Sequence, residues 1–234
     1  MKLSIIIPAY NEERRILSTL QDYYNFFNKK FKNNFEIIIV PNNCSDNTFK
    51  VVSDFSKNKK QIKIFNISHY SGKGGAVMKG FELAEGEYIG FTDADNSTNP
   101  ENFYKLYQNI GNYQGAIASR RIKGALVSPK RKLTQNISSF MFNKIAKILF
   151  GFKYSDTQCG AKLFEKNIAK FLNENFSEKG WIFDIDLLYL CKKNKLIVYE
   201  NPIIWRDAEG SKLSFKDGIF SILKLFKYRL RIKN

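Results

Sequence analysis

Glu87-Tyr88-Ile89-Gly90-Phe91-Thr92-Asp93-Ala94-Asp95 decides how this chain is read. The run up to Asp93 has the composition of a buried strand, and it ends in two carboxylates separated by one small residue. Such a pair can flank a hard divalent cation, which takes oxygen ligands and often bridges to substrate phosphates. At the carboxyl end of a strand, the pair lies where open α/β sheets bind ligands. On a loop without that setting, Asp-x-Asp is ordinary solvated surface. The surrounding segments therefore carry the decision.

Working outward, residues 3–7 and 35–40 are short apolar runs rich in β-branched residues and read as buried strands. Between them Ile16, Leu17, Leu20, Tyr24 and Phe27 recur at helical spacing. Asn11 is the expected N-cap, and Glu12 and Glu13 suit a helix start. Ser45-Asp46-Asn47-Thr48 predicts the cap of a second helix, with Val51, Val52 and Phe55 inward. Residues 61–67 read as a strand and 74–84 as a helix, followed by the strand ending in Asp93. Alternation of this kind predicts βαβ units and a mostly parallel central sheet flanked by helices, in the α/β class. The second half is less regular. Residues 115–119 and 196–199 read as strands, 183–193 as a helix, and 136–152 as strongly apolar at helical spacing. No internal repeat or low-complexity linker is visible, so 1–214 is read as one domain.

Residues 215–234 form a basic amphipathic segment. Ile219, Ile222, Leu223, Phe226 and Leu230 make one face, and Lys224, Lys227, Arg231 and Lys233 occupy other positions. The pattern suits a helix lying on a membrane surface, where basic residues meet lipid phosphates. It equally suits a terminal helix docked on the core with a solvated basic side.

Composition narrows the classes. The 234 residues suffice for one large α/β domain, and 44% apolar content argues against disorder. No apolar run reaches about 18 residues, so no spanning helix is expected. The apolar part of the first eight residues is too short for a signal peptide and reads as the first strand. Cys44, Cys159 and Cys191 are scattered, which fits a reducing compartment and neither a disulfide framework nor a zinc site. The 38 basic and 22 acidic residues leave a net charge of +16. Such a balance implies anionic partners: phosphorylated substrates, an anionic lipid surface or nucleic acid. No recognisable RNA-binding motif interleaves the basic residues with aromatics, so nucleic acid is not an expected partner.

Three further segments carry candidate chemistry. Pro8-Ala9-Tyr10-Asn11-Glu12 leaves the first strand, where a tyrosine ring can pack on a nucleobase while Asn11 and Glu12 bond polar edges. Strand-end punctuation with a helix cap explains it too. Ser71-Gly72-Lys73-Gly74-Gly75-Ala76 opens a helix after a strand and is either an anion cradle strengthened by Lys73 or a tight turn. It matches neither the Walker pattern nor G-x-G-x-x-G. Arg120, Arg121, Lys123, Lys130, Arg131 and Lys132 form a basic stretch that either receives a phosphate or lipid headgroups or is a solvated loop. His69, the only histidine, is assigned no role, which leaves little room for Ser-His or Cys-His catalysis.

Taken together, Ile6-Ile7-Pro8-Ala9-Tyr10-Asn11-Glu12 and the Asp93-Ala94-Asp95 strand end resemble family 2 glycosyltransferases of the GT-A fold. Further segments narrow the likeness to dolichyl-phosphate β-glucosyltransferases. These are Lys73-Gly74-Gly75-Ala76-Val77, Asp156-Thr157-Gln158-Cys159-Gly160 with Lys162-Leu163-Phe164, and Trp181-x-Phe183-Asp184-x-Asp186. Trp205 followed by Glu209-Gly210-Ser211-Lys212-Leu213 completes the set. The resemblance implies a GT-A, Rossmann-like nucleotide-diphospho-sugar transferase domain over 1–214. It implies a nucleotide-sugar donor, UDP-glucose, and a polyprenyl or dolichyl phosphate acceptor at the cytoplasmic face of a membrane. Transfer with inversion would give a β-linked lipid-phosphate sugar. Related enzymes use GDP-mannose or a soluble glycan acceptor.

The same resemblance implies roles. Asp95, helped by Asp93, would hold Mg2+ or Mn2+ against the diphosphate. Pro8, Ala9, Tyr10, Glu12, Asn42, Lys73 and Ala94 would join them around the donor. Arg206, Ser211 and Lys212 lie on a late loop expected to close over the diphosphate. Arg120 and Arg131 match basic positions that bind acceptor phosphate. Asp184 matches the base of members with hydroxyl acceptors and is expected here to position the sugar or an acceptor-side group. Asn42 stands in Pro41-Asn42-Asn43-Cys44, where the family usually has Asp-Asp-Gly-Ser. Its carbonyl is expected to accept from the base imino group. Membrane attachment is expected through 137–152 and 215–234.

Overall fold

The computed structural model describes residues 1–129, 133–206 and 215–232, and side chains in that span except at 133–137 and 215–219. The isoleucine-rich runs become strands Leu3–Ala9 (β1) and Phe35–Pro41 (β2), in which almost every residue is buried. β-Branched residues on both faces mark strands covered by helices on either side. Ile62–Ile64 (β3), Tyr88–Phe91 (β4), Gly115–Ser119 (β5), Lys162–Glu165 (β7) and Val198–Pro202 (β8) complete the main sheet. A short pair, Leu126–Ser128 (β6) and Ile204–Arg206 (β9), stands apart from it. The helices are Ile16–Phe31 (α1), Thr48–Ser56 (α2), Gly72–Leu83 (α3), Pro100–Asn109 (α4), Leu133–Phe150 (α5), Lys166–Asn175 (α6), Phe183–Lys193 (α7) and Phe215–Arg231 (α8).

The seven-stranded sheet runs β3-β2-β1-β4-β7-β5-β8. β1 pairs in parallel with β2 and β4, and only β7 runs against its neighbours. The chain steps from β1 outward to β2 and β3, then returns to the other side of β1 as β4. The crevice between the carboxyl ends of β1 and β4 is therefore a topological switch point. Period-two alternation sorts β1 between layers. Leu3, Ile5, Ile7 and Ala9 face a cluster with Ile16, Leu20, Tyr23 and Phe103 of α1 and α4. Ile6 faces Val77, Phe81, Leu172, Phe183 and Leu187 of α3, α6 and α7. A third cluster joins α5, α7 and α8 through Phe142, Phe150, Ile185, Leu188, Leu225 and Tyr228.

Several expectations shift. Asn11 is not the cap of α1: it takes a left-handed φ of 55°, and the helix starts at Ile16 behind Arg15. The Asn11 Oδ1 accepts instead from the Ser45 N–H at 2.8 Å, joining the two strand-end loops. Within α1, Thr19 and Tyr23 are buried and Leu17 is exposed; the buried Tyr23 gives its hydroxyl to the Thr98 carbonyl at 2.6 Å. β3 covers only the start of 61–67, the rest pairing through one Asn42–Ile67 bridge. β4 stops at Phe91, which leaves Asp93 on the loop beyond the strand. Of the apolar face read in 215–234, Ile222 packs on the core but most of the rest does not. Leu225 and Tyr228 are buried, whereas Leu223, Phe226 and Leu230 are exposed.

Candidate active site at the carboxyl edge of the sheet

Parallel strands bring four loops to one edge: those after Ala9, Pro41, Phe91 and Ser119. The loop after β4 carries the carboxylate pair. Ala94 between them is buried, and its carbonyl accepts from the Thr19 hydroxyl at 2.8 Å. Ala94 thus fixes the loop to α1. Asp95 Oδ1 accepts from the Ser97 N–H at 3.0 Å. Burial, then the charge on Asp93, raise the Asp95 carboxyl above the ordinary range. The backbone N–H of Arg206, at the end of β9, donates to the Ser97 carbonyl at 3.0 Å, so Arg206 ends a strand tied to the loop after the pair. Ser211, Lys212 and Arg131 lie outside the described residues.

Asp93 meets Lys73: Nζ and Oδ1 are 2.5 Å apart. Burial lowers the Lys73 pKa, but Asp93, Asp184 and Asp95 outweigh it and hold it above the usual lysine range. Gly160 closes the other side of Asp93. A Cβ at 160 would lie 1.8 Å from Asp93 Oδ2, so a larger residue there would have to push the carboxylate aside.

The glycine-rich start of α3 proves to be a packing device. The Gly74 and Gly75 N–H groups donate to the Lys179 carbonyl at 2.8 and 3.3 Å. A Cβ at Gly74 would lie 2.5 Å from Phe183 Cβ. The glycines admit the 178–183 segment, and a carbonyl caps the helix end where an anion was one expectation. Lys73 alone of that loop keeps the charged role.

Asn42 differs as well. It is only 2% exposed, and its Oδ1 accepts from the Ser71 N–H at 3.0 Å and from the Ser71 hydroxyl at 3.2 Å. Its Nδ2 donates to the Gly72 carbonyl at 3.0 Å. Both ends of the amide build the α3 loop, so the expected pairing with a nucleobase finds the carbonyl engaged. Tyr10 is exposed and sets its ring edge-on to Tyr70, with centroids 5.4 Å apart. Glu12 is held by Arg15, whose Nε donates to its carboxylate at 2.7 Å. The Ala9 carbonyl accepts from the Asn42 N–H at 2.8 Å, which ties Pro8-Ala9 to the next strand end.

Arg120 corrects another expectation. Its Nε and one terminal nitrogen grip Asp156 at 2.6 and 2.9 Å, and its guanidinium lies 5.3 Å from the Trp205 ring centroid. Asp156 is wholly buried; burial pushes its carboxyl up, but Arg120 outweighs that and holds it at about 2. This arginine is a strut of the 156–162 segment, not a free phosphate receptor. Asp184 is likewise paired. Lys162 Nζ, 0% exposed, donates to Asp184 Oδ1 at 2.5 Å and to the Cys159 carbonyl at 2.8 Å. Sequence reasoning gave Lys162 no role. The available signal was a lysine inside the apolar run Cys159-Gly160-Ala161-Lys162-Leu163-Phe164.

Comparisons with known proteins give the family. Residues 4–172 match the family model "Glycosyl transferase family 2". The chain belongs to glycosyl transferase family 2. A dolichyl-phosphate β-glucosyltransferase of Dictyostelium discoideum is 32% identical, covering 99% of this chain and 73% of that protein. The Saccharomyces cerevisiae enzyme of the same name is 33% identical over 91% of this chain and 69% of its own length. Among solved structures, glucosyl-3-phosphoglycerate synthase from Mycobacterium tuberculosis, bound to Mn2+, UDP and glucosyl-3-phosphoglycerate, superposes with a TM-score of 0.70. It is 13% identical, with 97% of this chain and 79% of that one covered. S. aureus TarS with UDP-GlcNAc gives 0.63 at 19% identity, covering 98% and 66%. These two likenesses establish the GT-A-type fold.

A family member of this fold calls for a test of the cation site. Among the described residues no group of three His, Cys, Asp or Glu converges. Asp93 and Asp95 supply hard oxygen donors but too few for a complete shell. They fit a divalent cation that brings diphosphate oxygens with it.

Proposed function

We propose that the protein transfers glucose from UDP-glucose to a polyprenyl, dolichyl-type phosphate, with inversion, giving a β-linked lipid-phosphate sugar. The curated relatives' name supports the sugar and the acceptor. The observation that carries the acceptor class is the Lys162–Asp184 pair. With its Oδ1 already taken by Lys162 Nζ at 2.5 Å, Asp184 is not arranged as a general base. A phosphate monoester needs none, being anionic near neutral pH, whereas a sugar hydroxyl does.

In this mechanism Asp93 and Asp95 would hold Mg2+ or Mn2+ at the switch point. When bound, the cation supplies Lewis-acid stabilisation of the leaving nucleoside diphosphate. Tyr10 offers its exposed ring to the base, and Asn42 shapes the loop beneath it. Lys73 neutralises diphosphate charge. Arg206, Ser211 and Lys212 would close over the diphosphate and exclude water. Arg131 receives the acceptor phosphate. Asp184, fixed by Lys162, orients the sugar or the acceptor.

The lipid acceptor requires approach to a membrane. No helix among the described residues is long and apolar enough to cross one. We propose peripheral attachment to the anionic, cytoplasmic face through α5 and α8. Phe140, Met141 and Ile148 of α5 and Phe220, Leu223, Phe226 and Leu230 of α8 are exposed, with Lys144 and Lys227 among them. Rings and aliphatic chains inserting beside lysines is the chemistry of interfacial helices.

The test is incubation of the protein with radiolabelled UDP-glucose, Mn2+ and dolichyl phosphate. The label is expected in the organic phase. Label transferred to a water-soluble glycan, or transfer from GDP-mannose alone, would overturn the reading.

A further inference from the structure

The ion pairs at the carboxyl edge of the sheet differ in kind. Lys162–Asp184 and Arg120–Asp156 each bury one partner completely, so they are permanent struts. In Lys73–Asp93 the side chains keep 18% and 36% of their surface open, and the pair sits on the proposed cation ligand itself. We infer that Lys73 is an exchangeable counter-ion: it neutralises Asp93 in the free protein and passes to the donor diphosphate when a divalent cation takes its place. This rests on the reading of the carboxylate pair as a cation and diphosphate site.

Four observations carry it. Gly160 backs Asp93 so closely that the carboxylate is confined on that side, leaving its outward side to Lys73. A cation reaching Asp93 meets an ammonium already 2.5 Å away and must displace it. The N-terminus of α3, the other source of positive potential in this loop, is spent on the Lys179 carbonyl. Last, Lys73 Nζ lies 5.6 Å from the Phe183 ring centroid, so the ammonium has an aromatic face along which to swing. A bare cation therefore competes with Lys73, whereas a nucleotide diphosphate offers the lysine a new anion. Cation and nucleotide then favour each other's binding, and the effect is reciprocal.

The consequence is a pair of changes opposite in sign. Lys73→Met keeps the aliphatic stem and removes the charge. Mn2+ alone, followed by paramagnetic resonance, should bind about threefold tighter, since the competing charge is gone. UDP alone, followed by calorimetry, should bind roughly tenfold more weakly, since the diphosphate loses its ammonium partner. Lys73→Arg should leave both signs near wild type, and an unchanged melting temperature would show that the variants fold. A structural role predicts that both affinities fall together, and that result in Lys73→Met overturns the exchange while leaving the cation site standing. Wild-type protein that binds neither Mn2+ nor Mn2+ with UDP overturns the site and the exchange with it.

Discussion

Asp156 has no access to water, yet it stays ionised because Arg120 grips both of its oxygens. Its folded pKa of about 2 lies below the ordinary 3.8. A depressed carboxylate contributes its stability in full above its unfolded value and loses it as pH falls through the folded one. The contribution, on the order of 2 kcal/mol, should disappear between about pH 4 and pH 2. Denaturant titrations of wild type should show that loss, and Asp156→Asn should be less stable at neutral pH with a flatter profile across the window. Asp95 makes the complementary case. It contributes little to packing, so Asp95→Ala should keep the fold by circular dichroism while transfer activity falls by roughly a hundredfold or more. Near-normal turnover would remove the carboxylate pair from the mechanism.

Helix α7 meets α3 on one side and α8 on another through contacts that a pattern of residue types does not announce. Gly74 lets α3 press against Phe183 and accept the Lys179 carbonyl as its cap. Gly74→Val should overpack this crossing and lower stability by about 1–3 kcal/mol, read as a shift in the denaturation midpoint. Farther along, Asp186 links α7 to two partners. Its Oδ2 accepts from the Ser177 and Glu178 N–H groups at 2.5 and 2.8 Å, and its Oδ1 from the Tyr228 hydroxyl of α8. Tyr228→Phe leaves a buried carboxylate oxygen without its donor and should cost about 1–3 kcal/mol. Hydrogen exchange should then rise first in α8, whose docking depends on that bond and on Leu225.

For the whole molecule, α8 is at once core and surface. Leu225 and Tyr228 bury one stripe, and Phe220, Leu223, Phe226 and Leu230 expose another. A triple change, Leu223→Ser, Phe226→Ser and Leu230→Ser, should therefore preserve folding while weakening flotation with anionic vesicles. Retained flotation would mean that attachment lies elsewhere. With 38 basic against 22 acidic residues, wild-type flotation should weaken as salt is raised.

Strand and helix alternation, the position of the carboxylate pair and the family were legible in the chain itself. Buried strands write their apolar runs locally, and Asp93-Ala94-Asp95 needs only its place after β4 to be noticed. Helix α7 at 183–193 and strand β5 at 115–119 fell where periodicity put them. Partnership was not legible. Asn42 is spent on Ser71, Arg120 on Asp156, Asp184 on Lys162 and the α3 glycines on Lys179, all through contacts distant in sequence. Residue type states what a side chain can bind, but a buried charge or amide takes whichever partner the fold brings within reach. Sequence thus determined the scaffold and the chemistry on offer at its edge. Tertiary structure decided which of those groups remain free for a ligand, because burial commits the others to the protein itself.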